Sequence, residues 1–367
     1  MTSQTAMQDE TAQNDAMQYL QPLSEAIGIS GLEDEVRSVI LNAIDSHVEQ
    51  IRIDPMGSIT ALKSGTGDEP RLRLMIAAHM DEVGFMVTGF EGEGLIRFSS
   101  VGGIDDRILP GLRVLIGEKH IPGVILWKPI HLSSDQNVVS MSNLRIDIGA
   151  KDKGGVEAKV RRGDRIAFSS NYRELGEQVV SGKAFDDRVG CSLLIDILRG
   201  GPYPVDILAA FTVQEEIGLR GATVTAQALQ PDFALVLEGT TAADTPNPIG
   251  EEDDTSEYNP TCRMGAGPVI SVMDRSMITN PKLVTFLRET AEANNIPYQY
   301  KTQLGGGTDA GAIHQANAGI PSMVLSMPCR YIHSPTAYLH RQDYHDMMRL
   351  ITAVLHNLPS LPEQFFA

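Results

Sequence analysis

The chain has 367 residues, 42% of them hydrophobic and 21% charged, with a formal net charge of −17. That length exceeds the usual single-domain size and predicts two domains with an ordinary globular core. An acidic surface repels phosphate, which argues against a nucleic-acid partner, and no window approaches the ~20 apolar residues of a membrane span.

In chain order, the polar N-terminus reads as a tail, frayed over residues 1–14, without the basic start or apolar stretch of a secretory signal. Residues 31–49 set Val36, Val39, Ile40, Ala43, Ile44 and Val48 at helical spacing and predict an amphipathic helix. Residues 72–78 are apolar but for Arg73 and predict a buried strand, which ends in His79-Met80-Asp81. From about 84 to 178 glycines are frequent and short β-prone runs alternate with turns, with no convincing helix. This texture predicts a small all-β domain inserted into the first.

Helical spacing resumes at residues 188–198. Strand-like runs follow at 205–213, 233–237, 269–272 and 322–325, with helices between or after them. Asn280-Pro281 is a cap and first-turn pair for a helix reaching about Asn294. The alternation predicts an α/β fold, a sheet with helices on both faces, formed by residues 1–83 and 179–367 around the insert 84–178. The acidic run Glu251-Glu252-Asp253-Asp254 reads as a solvated loop. Cys191, Cys262 and Cys329 are too widely spaced for a zinc knuckle or redox pair. An odd, sparse count suggests a reducing compartment, hence a cytoplasmic location.

Sites in open α/β sheets form beyond the carboxyl ends of the strands. Polar clusters stand at those places: His79 and Asp81, Glu215 and Glu216, Glu238, and a loop carrying His333. Asp186 and Asp187 precede a predicted helix. Histidines and carboxylates without cysteine suit divalent ions such as Zn²⁺, Co²⁺ or Mn²⁺. Two cations ~3.5–4 Å apart need a bridging oxygen, for which a short Asp ahead of a helix is well placed. Glu215 and Glu216 cannot both face one ion from a regular strand, so a turn would let one bind metal while the other faces substrate. A free carboxylate there is a natural general base. The chain has no GxSxG elbow, and residues 305–307, a triple glycine, lack the lysine and spacing of a phosphate loop.

The segments AAHMDEVGFMV (77–87), GKAFDDRVG (182–190), TVQEEIGLRGA (212–222), LEGTTAADTP (237–246), GPVISVMD (267–274), GGGTDAGAIH (305–314) and RYIHSP (330–335) resemble the M42 family of metallo-aminopeptidases. They span nearly the whole chain in order. The resemblance implies a di-metal exopeptidase fold, with residues 84–178 as a β-barrel-like dimerisation domain. It also implies a homo-oligomer, from dimer to tetrahedral dodecamer. The implied activity is removal of the N-terminal residue from peptides with a free N-terminus, through a water activated by two divalent metals. By motif, His79 and Glu238 would bind the first metal, Glu216 and His333 the second, and Asp186 both. Glu215 would be the base and Asp81 the partner of His79. Many members carry Asp where this chain has Glu238, one methylene longer. The rival readings are a glycoside hydrolase of endoglucanase type, which needs two opposed carboxylates and no metal, a related di-metal carboxypeptidase or deacylase, and a non-catalytic scaffold.

Overall fold

The computed structural model describes residues 17–129, 131, 137–245, 261–301 and 305–361. The tail expected at 1–14 and the acidic run 251–254 lie outside these residues. The chain opens with helices Leu20–Glu25 and Asp34–Ile44, the second shorter than the 31–49 stripe. Val36, Ile40, Ala43 and Ile44 are its buried face, while Val48 lies past its end. Strands β1 (Glu49–Ile53), β2 (Ile59–Lys63) and β3 (Arg73–His79) follow.

The chain then leaves this sheet. Strands β4 (Gly84–Phe90), β5 (Leu95–Val101), β6 (Arg113–Ile116), β7 (Ile121–Ile125), β8 (Ile146–Asp147) and β9 (Arg165–Phe168) close a barrel in the order β4-β5-β8-β7-β6-β9. Its core holds Phe85, Phe90, Phe98 and Phe168, with Phe85 edge-on to Phe98 at 5.2 Å and to Phe168 at 5.5 Å. Such pairs add about 0.5–1.5 kcal/mol beyond area burial. Among the described residues of this stretch, where no helix is expected, there is one short α-helix, Lys153–Glu157, beside the 3-10 turns Asp106–Ile108 and Met141–Asn143. Its cap is Asp152, whose carboxylate accepts the Gly155 N–H.

The chain returns through β10 (Arg173–Leu175) and β11 (Val179–Gly182). β10 falls within the range 84–178, yet it pairs with β11 in the main sheet. Then come β12 (Asp206–Thr212), β13 (Phe233–Thr241), β14 (Val269–Ile270), β15 (Gln299–Tyr300), β16 (Ser322–Arg330) and β17 (Ala337–His340). The main sheet has eleven strands in the order β1-β2-β12-β3-β13-β16-β17-β11-β10, with β14 joined to β16 and β15. The central four, β12, β3, β13 and β16, are parallel, and the flanking pairs β1–β2, β2–β12 and β16–β17 are antiparallel.

Alternate side chains of a strand point to opposite faces, and the core divides accordingly. Leu74, Ile76, Ala209, Phe211 and Leu235 pack in one cluster with Val189, Leu193 and Ile197 of the helix Phe185–Arg199. Ala77, Ala210, Ala234 and Val236 pack in another with Ala222 and Ala226 of the helix Arg220–Leu229. Burial on both sides is why these strands read as continuous apolar runs. The helix Pro281–Ala293 starts as expected, with Asn280 Oδ1 accepting the Lys282 N–H at 2.9 Å. Among the described residues no helix is long and apolar enough to cross a membrane.

Candidate metal centre

The parallel strands bring their carboxyl ends to one edge. His79 ends β3 and stands in register with Thr212, the last residue of β12. Past Thr212 the backbone turns at Gln214, φ +58°, and presents Glu215 and Glu216. Glu238 lies inside β13 rather than after it, because pairing with β16 continues to Thr241↔Cys329. Asp186 sits at the opening of the helix Phe185–Arg199, where it and Asp187 have non-helical dihedrals. His333 follows β16 in a loop with φ +58°. Ala184, Gln214, Tyr331 and His333 all have left-handed backbone and lie within two residues of a site side chain. Such strain costs roughly 1–3 kcal/mol per residue and persists where surrounding structure over-determines it.

Asp186 stands between the two histidines. Its Oδ1 is 3.2 Å from His79 Nε2 and its Oδ2 is 3.2 Å from His333 Nε2. Glu238 Oε1 is 3.4 Å from His79 Nε2, and Glu216 Oε1 is 3.4 Å from His333 Nε2. Glu215 Oε2 is 3.9 Å from His79 Nε2. Donor atoms of His79, Asp186 and Glu238 lie within 4.8 Å of one another, as do those of Asp186, Glu216 and His333. Either triad could hold a cation, and Asp186 is common to both. A third such group joins His79, Glu215 and Glu216. All seven residues singled out by the sequence therefore meet in one place.

Asp81 is fully buried behind them. Its carboxylate accepts the N–H of Glu215 at 2.9 Å and of Glu216 at 3.2 Å, and the Ser30 hydroxyl at 2.6 Å. His79 Nδ1 is nearer the Asp81 carbonyl (3.0 Å) than its carboxylate (3.5 Å). His333 Nδ1 meets the Gly103 carbonyl at 2.9 Å, in the loop after β5 of the barrel. With each Nδ1–H donated to a carbonyl, Nε2 is the atom left facing the cluster. Ser30 and Gly103 were not foreseen. A serine far along the chain and a main-chain carbonyl carry no motif signal.

The electrostatics are those of a crowded acidic cavity. Burial, reinforced by Asp186, pushes Glu216 and Glu238 each up to about 8. Burial also raises Glu215 well above the usual range; His79 opposes this, while Glu238, Asp309 and Glu216 add to it. For His79, burial lowers the pKa, but Glu238, Asp186, Asp81 and Glu215 outweigh it and hold the ring well above its usual value. His333 is likewise lowered by burial and raised, net, to about 9 by Asp186 and Glu216. Burial tends to raise Asp186, yet its hydrogen bonds to both rings keep it well below the carboxylate range. Protonated glutamates are how such a cavity balances charge without cations. Divalent cations would replace those protons, and the imidazole and carboxylate donors suit them. The centre opens into a cleft of about 740 Å³, whose lining also includes Thr241, Thr261, Lys301 and the triple glycine 305–307.

Fold and site together define a hydrolase whose centre, built at the carboxyl ends of parallel strands, has side chains that could hold metal. The chain belongs to the M42 glutamyl aminopeptidase family, which it matches over residues 57–350. It is 31% identical to the glutamyl aminopeptidase of Lactococcus lactis over 357 residues, 92% of this chain and 94% of that protein. It is 30% identical to the lysyl aminopeptidase of Pyrococcus furiosus over 353 residues, 93% and 97% of the two chains. Among solved structures, the TET aminopeptidase of a marine-sediment Thaumarchaeota archaeon superposes with TM-score 0.86 at 36% identity, covering 93% of this chain and 97% of that one. The TET1 peptidase of Pyrococcus horikoshii, which can assemble into a tetrahedron or a large octahedral shell, superposes with TM-score 0.80 at 33% identity, covering 93% and 99%. The chain is thus an aminopeptidase that cleaves peptides at the N-terminus, in a family that uses divalent metal, and this reading is favoured over a glycoside hydrolase.

Proposed function

We propose that the aminopeptidase works with two divalent cations, Zn²⁺ or Co²⁺ first and Mn²⁺ next, shared across Asp186. His79 and Glu238 would hold one and Glu216 and His333 the other. The observation that carries this is the placement of one carboxylate between two histidines, each with its own glutamate. Cations bound there would polarise the scissile carbonyl and lower the pKa of the attacking water. Glu215, held by its N–H to Asp81 and free of a second histidine, takes the proton from that water and returns it to the leaving amine. Asp81 keeps the Glu215–Glu216 turn and the His79 ring in place.

The substrate's first side chain is read from the cleft. Lys301 is the one lysine or arginine among the described residues lining it, with Nζ 3.4 Å from the Gly305 carbonyl. We infer from that charge a preference for acidic N-terminal residues. Lys301→Glu should shift the kcat/KM ratio of glutamyl to lysyl chromogenic substrates by about 10-fold or more towards lysyl, since like charges juxtaposed in a site are strongly disfavoured.

The same reading makes residues 1–83 and 179–367, joined by β10, one helix-flanked catalytic unit, and the barrel within 84–178 a dimerisation domain. Exposed Val124, Trp127, Val138 and Val139 on the insert support the latter, and the tetrahedral assembly of the TET1 relative supports a homo-oligomer, from dimer to tetrahedral dodecamer. Three buried free cysteines support a cytoplasmic location. The deciding experiment assays Glu215→Gln after chelation and reloading. Turnover should fall about 10²–10⁴-fold with cation content unchanged, and N-terminally blocked peptides should be refused by the native enzyme. Undiminished turnover in the variant would remove Glu215 from the chemistry.

A further inference from the structure

The backing of the metal centre comes from a part of the chain that the family match does not reach. That match begins at residue 57, yet the Ser30 hydroxyl donates to Asp81 Oδ2 at 2.6 Å, between two side chains at most 1% exposed. The same carboxylate accepts the N–H groups of Glu215 and Glu216 and lies against His79 Nδ1. One serine therefore steadies the group on which three site residues hang.

A buried ionic cluster holds that serine's segment. Glu82 Oε1 accepts from Lys183 Nζ at 2.5 Å, from Arg188 Nη2 at 3.2 Å and from the Gly28 N–H at 3.1 Å. Lys183 also donates to the Ala26 carbonyl. Arg188 donates to the carbonyls of Leu23 and Ala26, and to that of Met80 between His79 and Asp81. Gly28 packs so close that a Cβ there would lie 2.6 Å from Arg188 Nη2. Lys183 stands three residues before Asp186 and Arg188 two after it. The cluster thus ties residues 23–28 to both segments that supply the inner half of the site.

We propose that residues 23–30 are a positioning brace for the metal centre, acting through the Ser30–Asp81 hydrogen bond and anchored by the Lys183–Glu82–Arg188 cluster. The inference rests on reading the site as a cation centre. Ser30 touches none of the donor atoms; it acts through Asp81, whose hydrogen-bonding capacity it completes.

The test uses the full chain with Ser30→Ala, Ser30→Thr and Glu82→Gln. Co²⁺ affinity is measured by competition with a chelator, and ligand geometry by the visible absorption of the Co²⁺-loaded protein. Ser30→Ala is expected to bind Co²⁺ about 10–100-fold more weakly, with a shifted spectrum and a fall in kcat at unchanged KM. Ser30→Thr, which keeps the hydroxyl, recovers both readouts. Glu82→Gln, which loosens the anchor without changing its shape, weakens Co²⁺ binding in the same direction. Native affinity and spectrum in Ser30→Ala overturn the brace, and so does equal loss in the Ala and Thr variants, which assigns the position to packing alone. A native chain that takes up no Co²⁺ overturns the cation-centre reading itself, and this inference with it.

Discussion

The two histidines of the centre are alike in donor type and unlike in support. His79 ends a central strand, its side chain 2% exposed, and its neighbours Asp81, Asp186 and Glu238 come from that strand's end, a helix opening and the adjacent strand. His333 sits on a loop, 37% exposed, and rests on a barrel carbonyl and on Glu216 beyond a left-handed turn. The inner half is set by the register of β12, β3 and β13. The outer half is set where three connecting segments meet. Backbone in a central sheet opens only with the whole fold, whereas loops open locally at far smaller free energy. The inner half should therefore be the stiff, tight one, and the outer half the one that exchanges its ion.

The largest test of that difference is to remove each ring. In the cation-free protein His79→Ala leaves Asp186 and Glu238 buried without their shared partner, and stability should fall by about 3–5 kcal/mol, read as the urea midpoint. His333→Ala removes the other partner of Asp186 from a more exposed ring and should cost less, about 1–2 kcal/mol. After reloading, His333→Ala should retain one tightly held equivalent of cation by elemental analysis, and His79→Ala neither. Equal stoichiometry in the two variants would erase the distinction. A smaller effect is expected at Gly239, where a Cβ would lie 2.9 Å from Asp186 Cα. Gly239→Ala must part β13 from the helix opening, so about 1–3 kcal/mol of stability should be lost, and the inner ion should loosen before the outer. The smallest is Gly103→Ala. Its Cβ would meet His333 Nδ1 at an ordinary 3.6 Å and the carbonyl stays in place, so kcat/KM should remain within about twofold. A large loss there would show that the barrel contributes more than one carbonyl.

The contrast also separates what could be read in advance from what could not. The buried strands were legible because strands covered on both faces are apolar throughout. Their ends were less so: Glu238 looked like a residue after a strand, since the polar and glycine positions from 238 to 241 hide a ladder that pairing with β16 continues. Arg173–Leu175 looked like part of the insert, because three exposed residues carry no sign of which sheet will accept their hydrogen bonds. Motifs and family resemblance marked His79, Asp81, Asp186, Glu215, Glu216, Glu238 and His333. No pattern marked Ser30 or Gly103, and although Glu82, Lys183 and Arg188 lie inside matching segments, nothing in the string showed that they meet.

By itself, then, the order of residues determined the α/β class, the inserted β-rich stretch, the histidine and carboxylate set that could hold metal, and the family. Those properties reside in local periodicity and in side-chain type, which a linear string records. Only the tertiary structure decided that the barrel reaches in through the Gly103 carbonyl, and that a serine fifty-one positions before Asp81 holds its carboxylate. These are contacts between segments far apart along the chain, set by the packing of buried faces and by the need to pair every buried polar group.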